Sequence, residues 1–200
     1  MVRKIILSRH GSTKWNHPNQ AKEKVRGWVD LPLDDKGVIE AHKIAKELKG
    51  LPIDIMVSSD LQRAVQTAMI IHKDTNLPYG GKFEAFRPWN LGKFQGMESE
   101  KAAPYITRFA QDQPHIPVPG GEAFHDFERR FFAGLRGLFA QHQGLPLIIT
   151  HYRCVCMLEA WQAAGSRQDG SIDHVQFCKN NNKPTGHIQE YDVQVENLPQ

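Results

Sequence analysis

The sequence predicts an α/β sandwich built on a largely parallel sheet, and three segments with one shared pattern predict it. Each is a short apolar run that ends abruptly in polar residues. The first is "KIILS" (4–8), which delivers Arg9, His10 and Gly11. The second is Ile53–Val57, which ends in Ser58, Ser59 and Asp60. The third is Leu147–Thr150, followed by His151.

Taken in order, Ile5, Ile6 and Leu7 read as a strand buried on both faces. In "LDDKGVIEAHKIAKELKG", Val38, Ala41, Ile44, Ala45 and Leu48 make one apolar stripe, with Asp34 or Asp35 as cap and Gly50 as stop. After the second strand, Leu61, Ala64, Val65, Ala68 and Ile71 fall near helical spacing, and Ser59 or Asp60 suits the N-cap. Phe124, Phe127, Phe131, Leu135 and Leu138 mark a further helix, whose aromatic stripe reads as a core face. Tyr152 to Ala164 reads as a helix closed by Gly165. "HIQEYDV" alternates as a late strand, and 194–200 reads as a flexible tail. Residues 74–120 are rich in Pro, Gly and aromatics. They read as an insertion of short helices that forms a lid or pocket wall inside one domain spanning 1–193. No internal repeat is visible.

Composition narrows the function. With 24% charged and 40% hydrophobic residues, the chain has an ordinary globular balance. A net charge of +3 without a long Lys/Arg cluster argues against nucleic acid as a partner. No run reaches the roughly 18 apolar residues of a membrane span, and the N-terminal apolar stretch is too short for a secretory signal. Cys154, Cys156 and Cys178 make neither a CxxC pair nor a zinc set, and histidines such as His17, His42 and His125 are scattered singly. Reduced cysteines, no metal and no cofactor in a cytoplasmic protein are expected. Nothing in the sequence decides between monomer and homodimer.

Ligands of open parallel sheets bind beyond the carboxyl ends of the strands. There the three segments place Arg9, His10, Ser58, Arg63 (one helical turn on) and His151. Arginine forks and helix N-termini favour a tetrahedral oxyanion such as phosphate. An imidazole among them can attack phosphorus. Neither a Walker loop nor GxGxxG is present.

"RHGSTKWN" (9–16) resembles the RHGxTxxN signature of the histidine phosphatase superfamily, the phosphoglycerate mutase-like proteins. "RGWVDLPLDDKG" (26–37), "SSDLQRAVQTA" (58–68), "LGKFQG" (91–96), "PGGEAF" (119–124) and "ITHYRCV" (149–155) are similar to its later motifs, in the right order. The resemblance covers about 3–193. It implies a three-layer α/β/α domain and metal-independent catalysis through a phosphohistidine. His10 would be the nucleophile, with Arg9, Arg63 and His151 holding the phosphoryl oxygens. Asn16 would touch the phosphoryl group too. Ser12 and Thr13 would line the pocket, and Arg26, Gly27, Ser58, Arg87, Asn90 and Tyr152 would serve phosphate or substrate.

Two departures stand out. The family's proton-donating acid follows the arginine of "RExxFG", but here "FRPWNLG" puts Pro88 in its place. Glu122 is the first substitute expected and Glu84 the second. Tyr152-Arg153 replace the small residues usual after the second histidine; Arg153 adds positive charge to the pocket or faces solvent. The expected function is hydrolysis of a small phosphomonoester. The alternatives are mutase-type transfer, disfavoured by the 200-residue length and missing acid, a phosphohistidine-protein phosphatase, and a pseudo-phosphatase that binds without turnover.

Overall fold

The computed structural model describes residues 1–16, 23–178 and 183–200, so His17 lies outside the described residues. The strands are β1 (Val2–Arg9), β2 (Ile53–Ser59), β3 (Tyr79–Phe83), β4 (Leu145–Thr150) and β5 (Ile188–Gln194). They form one sheet in the order β3-β2-β4-β1-β5. All pairings are parallel except that of β5, which runs antiparallel along β1.

Successive strand residues point to opposite faces, and that alternation makes two cores. Ile5, Leu7, Val57 and Ile148 enter one; Ile6, Met56, Leu147 and Ile149 enter the other. Helices α1 (Asp35–Leu48) and α2 (Gln62–Thr75) cover the second face through Ile44, Leu48, Ala64 and Ile71. The first face carries α3 (Ser99–Gln111), α4 (Phe124–Gln141), α5 (Tyr152–Ala163) and α6 (His174–Cys178). This is the three-layer α/β/α sandwich. On α4, Phe124, Phe127, Phe131, Phe132 and Phe139 are all at most 2% exposed. At roughly 1.5–3 kcal/mol per buried side chain, that stripe anchors the first face.

Gly11 and Gly37 set how closely the start of α1 meets the end of β1. A Cβ on Gly11 would lie 2.4 Å from the Gly37 carbonyl oxygen, and one on Gly37 would lie 2.2 Å from that of Ser12. Only glycine at both positions allows this backbone contact.

Three local expectations are corrected. Neither Ser59 nor Asp60 caps α2: the cap position is Leu61, and Asp30 instead accepts the Gln62 amide hydrogen at 2.7 Å. Asp60 is turned away to Arg87. Segment 74–120 holds more regular structure than short helices. Within it β3 extends the sheet, although "YGGKF" lacks an alternating pattern, and α3 runs for 13 residues through Pro104. The segment 194–200, expected to be flexible, is anchored here: Leu198 is buried in the first core, and the N-terminal amine pairs with Glu196.

Glu128, on the inner side of α4, is only 7% exposed and has His125 as its ion-pair partner at 3.3 Å. Burial, with help from Asp169, pushes its carboxyl up to about 7. The folded state therefore holds this proton more tightly than the unfolded chain does. Stability from this group falls as pH rises from about 4.5 to about 7. Glu128→Gln is expected to stabilise the protein above pH 7 by roughly 1–2 kcal/mol, solvent access to the carboxyl being allowed for, and to lose that advantage near pH 4.5. Paired thermal melts at the two pH values check this; an equal shift at both would contradict it.

Candidate active site

The site starts from strand register. Arg9 on β1 stands opposite Thr150 on β4, and the His10 N–H donates to the Thr150 carbonyl at 3.0 Å. The next residue of each strand is therefore a histidine, and the two rings lie 5.0 Å apart, edge to face. From β1 the chain leaves through α1 on one face; from β4 it leaves through α5 on the other. Opposite departures from neighbouring strands open a crevice at their carboxyl ends.

Arg63 enters that crevice from the first turn of α2 and is 1% exposed. Its Nε donates to His10 Nε2 at 3.2 Å, Nη1 to the Val29 carbonyl at 2.8 Å and Nη2 to the Gly27 carbonyl at 2.9 Å. Gly27 adopts φ +48°, a left-handed turn that presents its carbonyl to the arginine. The "RGWVD" loop thus holds the guanidinium against the imidazole.

The hydrogen bonds fix the tautomer of His10. Its Nδ1 lies 2.7 Å from the Gly11 carbonyl, which can only accept, so Nδ1 carries the hydrogen. Nε2 then carries the lone pair, which accepts the Arg63 Nε hydrogen at 3.2 Å. Burial above all, then the charges of Arg63, Arg9 and Arg26, holds His10 well below the usual imidazole range. His151 is lowered likewise, first by burial and then by Arg63 and His10. Among the described residues, both ring nitrogens of His151 are buried without a hydrogen-bond partner, as is Nε of Arg9. Unpartnered buried polar atoms are costly unless a ligand takes them up. Burial pulls Arg63 down to about 9 and Arg9 to about 10, so both keep their charge at neutral pH.

These four side chains face a cavity of about 570 Å³. Arg26, Gly27, Tyr152 and Arg153 also line it, with Trp89, Leu91 and Ile106 as apolar wall. The other expected contacts lie elsewhere. Ser12 Oγ donates to Asp34 at 3.0 Å and ties α1 to β1. Thr13 and Asn16 close on each other, the Asn16 oxygen accepting from the Thr13 amide at 3.0 Å and its hydroxyl at 2.9 Å. Ser58 pairs with the Tyr79 hydroxyl at 2.8 Å. Arg87 forks onto Asp60 at 2.7 and 2.6 Å. Asn90 spends its side-chain oxygen on the Gly92 amide at 3.2 Å.

Neither expected acid reaches the cavity. Glu122 accepts from the Asn90 amide at 2.8 Å and from Arg130 Nη2 at 2.7 Å, which makes it a brace for the 84–90 turn. The Glu84 side chain is 58% exposed beside Arg87. Pro88 itself lines the cavity. The carboxylates that do line it, Glu23 and Glu100, were not foreseen. Glu23 sits 2.9 Å from Arg26 and 3.9 Å from Arg9. Glu100 lies in the exposed first turn of α3, where Ala102, Ile106 and Ala110 recur every fourth residue, a signal that could have located the helix. Among the described residues no group of three or more His, Cys, Asp or Glu is placed to hold a metal ion, and no helix is long and apolar enough to cross a membrane.

A mostly parallel sheet covered on both faces, with two strand-end histidines beside buried arginines at its carboxyl edge, defines an α/β protein whose crevice is positively charged. Residues 5–176 match the model of the histidine phosphatase superfamily (branch 1), and the chain belongs to that family. It is 32% identical over 156 residues to a 2,3-bisphosphoglycerate-dependent phosphoglycerate mutase of Protochlamydia amoebophila, covering 60% of this chain and 66% of the relative. It is 30% identical over 158 residues to a metal-independent phosphoserine phosphatase of Arabidopsis thaliana, covering 75% of this chain and 64% of the relative. The chain thus spans just under two thirds of the length of these curated relatives. The solved structure of a mycobacterial glucosyl-3-phosphoglycerate phosphatase superposes with a TM-score of 0.76 over 100% of this chain and 96% of its own, at 20% identity, which speaks for the fold alone.

Proposed function

We propose that the protein hydrolyses phosphomonoesters through a phosphohistidine at Nε2 of His10. The observation that carries this reading is a neutral imidazole, hydrogen on Nδ1, that lines a cavity with Arg9, Arg63 and His151; its Nε2 is held by Arg63 Nε, a hydrogen bond that passes to a phosphate oxygen when Nε2 attacks. A phosphate dianion seated there would take up the free donors of Arg9 and Arg63 and a ring hydrogen of His151. Nε2 attacks phosphorus, the N–P bond forms and the ester P–O bond breaks, with the leaving oxygen accepting a proton from water. A second water then attacks phosphorus, the N–P bond breaks, and inorganic phosphate and neutral His10 are released. Positioned charge, rather than covalent skill, supplies most of the acceleration in such transfers.

Pro88 offers no proton, Glu122 is held by Arg130, Glu23 is engaged by Arg26, and Glu100 is exposed in the first turn of α3, without the burial that makes a carboxyl a proton donor near neutrality. The enzyme should therefore favour esters whose leaving group needs little protonation. Rapid mixing with phosphorus-labelled p-nitrophenyl phosphate, then quenching, is expected to leave label on the protein that acid removes and alkali does not. Aryl phosphates should turn over about 10²-fold or more faster than alkyl phosphates of similar size. Acid-stable label would rule out the intermediate; equal rates on the two ester classes would show that a proton donor exists after all. Isomerisation of phosphoglycerate in the presence of bisphosphoglycerate would replace this reading by mutase-type transfer.

A further inference from the structure

Position 153 lies two residues beyond His151, in the first turn of α5, and Arg153 lines the same cavity as His10. Two aromatic rings border it: its guanidinium carbon is 5.4 Å from the Tyr152 ring centroid and 5.1 Å from that of Phe177. Nη1 donates to the Phe177 carbonyl at 3.2 Å. No carboxylate among the described residues forms an ion pair with it, whereas Arg26, Arg87, Arg129 and Arg130 each have one. An arginine that lines a cavity, is steadied by neighbouring rings and has no carboxylate partner among the described residues is prepared for an anion.

Tyr152 relates this arginine to the reaction centre. The guanidinium carbon of Arg9 lies 5.5 Å from the same ring's centroid, so Tyr152 borders both the arginine beside His10 and Arg153. A phosphate seated against His10, Arg9 and Arg63 leaves the donors of Arg153 to a second group. Apolar wall at Trp89, Leu91 and Ile106 accommodates the body of a ligand between two charged ends.

We infer that Arg153 is a specificity-determining residue that binds a second anionic group, carboxylate or phosphate, on the phosphomonoester substrate. This rests on the hydrolase reading for turnover but not for binding. The test compares phenyl phosphate, 3-carboxyphenyl phosphate and a benzene-1,3-diyl bisphosphate, whose reacting esters are alike. For the wild-type protein, kcat/KM should be about 10- to 100-fold higher for the doubly anionic compounds, the range expected of a charge-assisted hydrogen-bonded pair. The compound with the larger advantage identifies the second group as carboxylate or phosphate. Arg153→Gln should erase the advantage by raising KM, with kcat on phenyl phosphate unchanged, and Arg153→Lys should restore part of it. A wild-type ratio near one overturns the inference without any variant, as does an equal effect of Arg153→Gln on all three compounds. If the wild-type protein turns over none of them, the hydrolase reading fails instead. Calorimetric titration with the same compounds then still asks whether the doubly anionic ones bind more tightly, and equal affinities would overturn the subsite.

Discussion

His10→Ala is expected to lower kcat on p-nitrophenyl phosphate by about 10⁴-fold or more and to abolish the trapped label. The expectation follows from the one histidine whose tautomer is fixed. His151 is 5.0 Å from His10 between ring centroids, yet among the described residues neither of its nitrogens makes a hydrogen bond that would fix which one carries the lone pair. His10 has both a fixed tautomer and a fixed direction. The same environment predicts the pH profile. A histidine held well below the usual 6.5 stays neutral as pH falls through that value. In the wild-type protein, kcat/KM, which reports ionisations of the free protein, should therefore remain flat from pH 8 through 6.5. The linked stability follows the same direction: the unfolded chain takes up a proton on His10 below about 6.5 while the folded one does not, so stability present above that pH is lost as pH falls. A limb in kcat/KM at pH 6.5, or labelling that survives in His10→Ala, would place the nucleophile elsewhere.

Arg63→Gln is expected to lower kcat by about 10²–10³-fold, the usual consequence of removing one fixed donor to a developing charge. Unlike His10, this residue also carries structure. Its loss leaves the Gly27 and Val29 carbonyls without their donor, at about 1–3 kcal/mol for each group that stays buried. Arg63→Gln should thus lose thermal stability, whereas His10→Ala, which removes a side chain from a costly environment, should not. Arg63→Lys keeps the charge but cannot serve His10 and two carbonyls in three directions, so it should recover only part of the rate. Full recovery by lysine would reduce Arg63 to a point charge.

The strand-end cluster was legible in the sequence to the extent that strands fix it. His10, Arg9 and His151 follow uninterrupted apolar runs, and a parallel sheet delivers such residues to one edge. Arg63 follows from helical spacing after β2. The surrounding wall was less legible because it is made by turns. Ser12, Ser58 and Glu122 are polar residues beside motif glycines or strand ends, and each is consumed by a neighbouring backbone or side-chain group. Sequence distance cannot tell a carboxylate braced by Arg130 from one facing a ligand. Glu23 and Glu100 escaped for the converse reason: neither lies in a periodic or motif-like position of its own, and tertiary folding alone brings them to the cavity. The α2 cap shows the same limit, since Asp30 reaches Gln62 from 32 residues away.

The backbone bond between His10 and Thr150 has a consequence for how this molecule can fail and change. His10, the proposed nucleophile, is stitched into the middle of the sheet, so its geometry should persist until the sheet itself opens, and heat inactivation and loss of secondary structure should share one midpoint. The residues that would choose a substrate, on α3 and at Tyr152 and Arg153, sit on helices whose side chains can vary without disturbing that backbone stitch. On the proposed reading, chemistry rests on strand ends and selectivity on the helices beside them.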